Sequence, residues 1–218
     1  MEPAFDLHLP PHIRFGRGTA ANAVEAVCAW GRRPLLIHGA SSRRSQWLVD
    51  GLTAAGCSPT RHPCPHEPDV ALIEAGVAAG RAAGVDVVIG IGGGSVIDTA
   101  KAMAGLIPVS GDVVDYLEVV GDNAPLDATP LPLIALPTTA GTGTEATLNA
   151  VIGVPAARRK VSLRDPRLLP DMAIVDPALT DDTPAAVTLA SGLDAITQVI
   201  EPFISCRANR FTDALCRD

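Results

Sequence analysis

The stretch VVIGIGGGSVIDTAKAM, residues 87–103, constrains the fold more than any other part of the chain. A run of buried-strand residues enters three consecutive glycines and leaves directly as a helix-forming segment, so a strand must turn into a helix within a few residues. Near-continuous hydrophobicity means burial on both faces, the condition of a strand inside a parallel sheet. Glycines lack Cβ, which lets the backbone approach a ligand and take conformations closed to other residues. Ser95 is the predicted N-cap of the helix, with Asp98 as its capping-box partner. Amides at such a helix start are free to bind an anion, and the dipole adds ~0.3–1 kcal/mol per charge. The residues leave two readings open: a phosphate site, or a tight and well-capped turn without a ligand. The pattern is neither the P-loop nor the G-x-G-x-x-G spacing.

The same strand-to-helix rhythm recurs along the chain. Strands are predicted at 34–38, 85–91, 131–136 and 172–175, and helices over 18–30, 45–55, 68–83 and 95–107. This alternation is that of βαβ units around a parallel sheet. Residues 148–165 read as a hairpin projecting from it. The segment RHPCPHEPD, 61–69, reads as a proline-rich surface loop; prolines on both sides of Cys64 preclude helical presentation of His62, Cys64 and His66 to a metal. From Pro184 onward the pattern is helical. The expected organisation is an α/β domain over 1–185, followed by the opening of an all-helical domain over 186–218 that is cut off at Asp218.

A second glycine-bearing loop, PTTAGTGTEAT at 137–147, follows a predicted strand's carboxyl end. Ligands of open α/β sheets bind at that edge, so two such loops together point to a nucleotide crevice. Turn and capping roles account for Glu145 and Asp176 nearby. Composition agrees with small-molecule chemistry. Of 218 residues, 47% are apolar and 19% charged, the balance of a packed globular chain. A net charge of −7 counts against a nucleic-acid surface. No membrane-spanning run or signal-peptide pattern is evident, so a cytoplasmic protein is expected. The five cysteines include no C-x-x-C pair and read as free thiols.

Four segments carry more than physics. GGGSVIDTAKA at 92–102, PLIALPTTAGTGTEAT at 132–147, LLPDMAIVDPALT at 168–180 and SGLDAITQVIEPFIS at 191–205 resemble, in order and spacing, the iron-containing (group III) alcohol dehydrogenase family. The resemblance begins at LPPHIRFGRG, 9–18, and covers essentially the whole chain. It implies a Rossmann-like α/β nucleotide-binding domain and the truncated start of an all-helical domain, the dehydroquinate synthase-like architecture. It also implies hydride transfer between NAD or NADP and an alcohol or aldehyde, and a homodimer at full length. Two other readings stay open: a metal-independent reductase of the maleylacetate reductase type, and a non-catalytic nucleotide-binding fragment.

Carried over by position, Gly92, Gly93, Gly94 and Ser95 would wrap the pyrophosphate, with Asp98 supporting the turn. Thr138, Thr139 and Thr142 would contact phosphates and ribose, and Lys160 would lie near the nicotinamide ribose. At the end of the first predicted strand the family often has an aspartate against the ribose 2′-hydroxyl; here Gly39 stands there, followed by Ser41, Ser42, Arg43 and Arg44. A glycine leaves room for a 2′-phosphate, which two hydroxyls and two guanidiniums could bind. The other reading of those arginines is the first turn of the next helix.

The family's G-x-D-A-L-x-H motif supplies two of four metal ligands from an aspartate and a histidine. Asp194 matches the first, Gln198 replaces the second, and residues 67–218 contain no histidine. The resemblance implies iron or zinc, whereas an amide oxygen suits a harder ion such as Mg²⁺ or Mn²⁺. From the residues alone Ser191 is an N-cap, Asp194 its capping partner, and Leu193, Ile196, Val199, Ile200 and Phe203 form the core side of the helix. That leaves Asp194, Gln198 and Glu201 as a solvated stripe. No catalytic residue is assigned.

Overall fold

The buried apolar runs become the middle of one parallel sheet. The computed structural model describes residues 4–217. Its strands are β1 (His12–Phe15), β2 (Pro34–His38), β3 (Thr60–Pro63), β4 (Val87–Gly92), β5 (Leu133–Pro137), β6 (Asn149–Val154), β7 (Arg159–Arg164) and β8 (Met172–Val175). Six of them form a parallel sheet in the order β1-β8-β5-β4-β2-β3, and β6 and β7 form a separate antiparallel hairpin. Every residue of β2, β4 and β5 is buried, as their unbroken hydrophobicity requires.

Helices α1 (Ala23–Trp30), α2 (Gln46–Ala54), α3 (Val70–Ala83) and α4 (Gly94–Leu106) join or flank the strands, and α5 (Ala185–Ile204) and α6 (Arg210–Arg217) follow the last one. Two clusters fill the sheet's faces: one holds Leu35, Ile37, Val88, Met103 and Leu106, the other Leu36, Leu48, Leu52, Val87 and Ile89. The alternation of Leu35, Leu36 and Ile37 between clusters is the period of two of a strand covered on both sides. Local signals set the helix ends. In α3 the Asp69 side chain accepts from the Leu72 amide at 2.9 Å, and Gly84 closes the helix at φ 58°. Arg81 then donates to the carbonyls of Leu106 and Ile107 at 2.9 Å, satisfying the free end of α4.

Two strands escape the sequence pattern. β3 overlaps the start of the segment read as a loop: Thr60–Pro63 pairs in parallel with Leu35–His38. It is an edge strand, where Pro63 is tolerated and backbone pairing needs no apolar side chains. The following Cys64 is 4% exposed, so this region is partly core rather than surface. β1 is the opposite edge, all four residues exposed, and pairs with β8. Among the described residues no helix is long and apolar enough to cross a membrane.

Candidate functional site

From β2 the chain moves outward to β3, then returns to place β4 on the other side of β2. Loops leaving the carboxyl ends of β2 and β4 therefore diverge, and the crevice between them is where open α/β sheets take ligands. A cavity of about 270 Å³ lies there, lined by Gly39, Ser41 and Arg44 after β2, Gly92 and Gly93 at the end of β4, and Thr138 after β5. Among the described residues no carboxylate lines it. Arg44 faces it while donating to the Asp182 carbonyl at 3.0 Å; Arg43 is not part of the lining.

A second cavity of about 370 Å³ continues past the glycine turn, lined by Gly94, Ser95, Asp98, Thr142, Lys160 and Asp194 among others. Cofactor residues expected from the sequence thus gather around two neighbouring cavities. Thr139, the remaining one, packs over the turn between them: a Cβ on Gly93 would lie 3.3 Å from its hydroxyl. On Gly94 a Cβ would lie 3.0 Å from Thr142 Cγ2, and on Gly92 it would overlap Val96 at 2.5 Å. Packing therefore demands a glycine at 92, whereas at 93 and 94 a Cβ would be crowded without overlapping its neighbour.

Helix α4 starts one residue earlier than the sequence implies. Gly93, in an extended conformation, is the N-cap and provides no side-chain cap. Ser95 lies in the first turn and Asp98 turns into the second cavity, so neither caps the helix. A glycine N-cap leaves the first amides of α4 to whatever fills the cavity.

The second loop is fixed from beneath by a residue that sequence reading missed. Lys101, fully buried, donates to the Thr147 hydroxyl at 2.8 Å, the Thr147 carbonyl and the Asn149 carbonyl at 3.1 Å. Its position one turn after Asp98 on a helix otherwise apolar on that side was the available signal. Burial lowers the Lys101 pKa to about 8, against the opposing pull of Asp98 and Glu145. Burial likewise raises Asp98 to about 6, against the charge of Lys101 and the Val151 amide. A carboxyl with so raised a pKa in the second cavity can hold or release a proton near neutral pH.

Lys160 stands at the cavity mouth on β7, exposed and ion-paired with Glu67. The Gly153 amide donates to the Pro68 carbonyl at 2.8 Å, which holds the hairpin against the Glu67 loop. Asp176 has no part in the cavities holding the turn. It is 3% exposed and accepts from the amides of Gly18 (3.0 Å), Ala20 (2.9 Å) and Ala178 (2.9 Å). Burial pushes its carboxyl upward, but those amides and Arg17 outweigh that and hold it below its ordinary value.

Helix α5 reverses one expectation. It begins at Ala185, so Ser191 is internal and bonds back to the Val187 carbonyl instead of capping. Two residues of its polar stripe, Asp194 and Gln198, face the cleft. Gln198 Nε2 donates to the Thr142 carbonyl at 3.2 Å and to Asp194 Oδ2 at 3.1 Å. Gly141, at φ +133°, passes so close to Ser191 that a Cβ would meet its carbonyl oxygen at 2.1 Å. The apolar residues expected in the core are bare: Leu193 is 57% and Ile196 58% exposed. Among the described residues no group of three or more His, Cys, Asp or Glu side chains is placed to hold a metal ion.

A cleft at the switch point of a parallel sheet defines an α/β ligand-binding fold, and comparison with known proteins identifies its family. The family model of iron-containing alcohol dehydrogenases matches residues 10–177, and the chain belongs to that family. A long-chain-alcohol dehydrogenase of Geobacillus thermodenitrificans is 42% identical over 94% of this chain and 53% of its own length. EutG, a probable alcohol dehydrogenase of Escherichia coli, is 37% identical over 95% of this chain and 53% of its own. The crystal structure of sulfoacetaldehyde reductase from Bifidobacterium kashiwanohense in complex with NAD⁺ superposes with a TM-score of 0.88 at 28% identity. That match covers 98% of this chain and 57% of the reductase. The chain spans about half the length of the curated relatives it matches.

Proposed function

We propose that this chain is the cofactor-binding half of an NAD(P)-dependent alcohol dehydrogenase, acting on an alcohol or aldehyde. The observation that carries the reading is the glycine N-cap of α4, set between two cavities at the sheet's switch point with Thr139 and Thr142 above it. A cradle that a single Cβ would crowd at Gly94 fits a diphosphate, which the free amides at the start of α4 can hold. Gly39 and Ser41 would take the adenosine end, and Thr142 and Lys160 the nicotinamide end. Bound there, the cofactor supplies the hydride donor or acceptor. Lys160 would lie near its ribose and Asp98 would support the turn, while Lys101 holds the end of the loop that carries Thr142. With Gly39 in place of a carboxylate and Arg44 in the lining, we assign a preference for NADP(H) over NAD(H).

Two features bear on the metal. Asp194 faces the second cavity, but its Oδ2 already accepts the Gln198 amide. A histidine at that position would offer a lone pair; this amide offers its N–H. The pair as arranged fits a divalent ion poorly. This favours, as the second reading, a metal-independent reductase of the maleylacetate reductase type. We further read residues 186–218 as the start of a helical domain, supported by the bare apolar side of α5.

Fluorescence titration of the purified chain with NADPH and NADH tests the proposal. Binding of NADPH at least tenfold tighter than NADH is expected. No binding of either by folded protein would overturn the cofactor reading. Thermal shifts with Mg²⁺, Mn²⁺, Zn²⁺ or Fe²⁺ that vanish in Asp194→Ala would restore the metal.

A further inference from the structure

Away from the cleft, two helices bring a pair of thiols together. Cys28 lies on α1 and Cys57 just beyond α2, 29 positions apart, with their sulfurs 3.3 Å from each other. Backbone, not side-chain chance, fixes the approach. Gly56 turns the chain at φ +80°, the Cys57 amide returns to the Leu52 carbonyl at 2.9 Å, and Ser58 donates to the Arg32 carbonyl at 2.8 Å. Arg32 in turn donates to the Ala55 carbonyl at 3.2 Å, so the α2 exit is tied to the α1 exit on both sides of Cys57. Cys57 is 5% exposed, whereas Cys28 is only half-buried and within reach of a small oxidant. No other sulfur contact of this kind occurs among the described residues: Cys64 meets Thr99 and two carbonyls.

We infer that Cys28 and Cys57 form an intramolecular, reversible disulfide when the protein meets a hydroperoxide. The Cys28 thiolate attacks the terminal peroxide oxygen; the O–O bond breaks, leaving a sulfenic acid on Cys28 and an alcohol, or water from hydrogen peroxide. Cys57 sulfur then displaces the hydroxyl, which leaves as water with the Cys57 proton, and the S–S bond forms. Two thiols are oxidised by two electrons and one peroxide is reduced. A separation of 3.3 Å requires only a small closure to the bonded length of about 2.0 Å. Burial raises the Cys28 thiol above its ordinary value, so the reaction is slow at neutral pH and accelerates as pH rises.

The test oxidises the purified chain with hydrogen peroxide at pH 8.5, blocks remaining thiols with iodoacetamide, and maps the peptides by mass spectrometry. Alkylated thiols should fall from five to three, with one Cys28–Cys57 cross-link, a mass loss of about 2 Da reversed by dithiothreitol. Closing this loop should raise Tm by about 5–10 °C. Cys28→Ser and Cys57→Ser should each abolish the cross-link, and Cys64→Ser should not. Reduced Cys28 and Cys57 in the wild-type map, while Cys206 or Cys216 is consumed, would overturn the inference. So would oxidation of Cys28 only to sulfinic acid.

Discussion

Replacing Lys101 by methionine tests how the second loop of the cleft is held in place. The ammonium is fully buried and donates to three acceptors, two on Thr147 and one on Asn149. Methionine keeps most of the apolar stem and removes every donor. Each stranded acceptor costs about 1–3 kcal/mol. Against that, the variant no longer buries a cation whose pKa falls from 10.5 to about 8. At about 1.36 kcal/mol per pKa unit, such a shift means that the wild type carries a penalty of roughly 3 kcal/mol at neutral pH. The stranded acceptors outweigh it, and the variant should be less stable by about 2 kcal/mol at pH 7.

The sharper test is pH. A lysine whose folded pKa lies below its unfolded one binds fewer protons in the native state, so stability rises with pH between the two values. For Lys101 that window runs from about 8 to 10.5. There the wild type should gain up to about 1.4 kcal/mol per pH unit relative to Lys101→Met, and the gap between them should widen. Urea unfolding of both proteins at pH 7, 8, 9 and 10, followed by tryptophan fluorescence, measures it; titrations that the substitution leaves alone cancel, while Asp98, freed from the Lys101 charge, titrates higher in the variant and widens the gap in the same direction. NADPH affinity should also fall about tenfold, as the loop carrying Thr142 loses its anchor. A gap that stays constant across this range would refute a buried, charged lysine.

Three further outcomes follow from the same geometry. Gly94→Val should reduce NADPH affinity at least tenfold in a fluorescence titration while moving Tm by only a few degrees, since its side chain would press on Thr142. Arg44→Ala should weaken NADPH about 10- to 100-fold and NADH less than twofold; equal losses would remove the 2′-phosphate assignment. Asp176→Ala strands the amides of Gly18, Ala20 and Ala178 and should cost about 2–4 kcal/mol in urea unfolding. Because the folded pKa of Asp176 is depressed, its contribution is fully present above the ordinary value of 3.8. It is lost as pH falls through the lower, folded value, so the wild-type advantage should shrink in acid.

The central sheet was legible because β2, β4 and β5 are buried on both faces and therefore carry apolar side chains at every position. Edge strands carry no such mark. The residues of β1 are all exposed and those of β3 only partly buried, so their pairing is a backbone property that hydrophobic pattern does not encode. The two glycine loops were legible as loops at a sheet edge, yet what fixes one against the other was not. Lys101 lies in a helix whose charged residues would ordinarily be assigned to solvent, and only the fold puts Thr147 and Asn149 opposite it.

Helix α5 shows the limit of amphipathic reasoning most directly. Its stripe of Leu193, Ile196 and Ile200 correctly separates an apolar from a polar side, but periodicity fixes only the angle between them. Which side meets the sheet edge is decided by contacts far away in sequence. Gly141 lets the loop backbone come against Ser191, and Gln198 then reaches the Thr142 carbonyl. Together these turn Asp194 and Gln198 onto the cleft and leave Leu193, Ile196 and Ile200 outward. The Asp194–Gln198 pair gains meaning from that rotation: facing solvent it would be a surface pair, whereas beside Thr142 it clasps the loop above the glycine turn. Residues that the resemblance places at metal-ligand positions thus also hold, in this chain, the loop above the glycine turn.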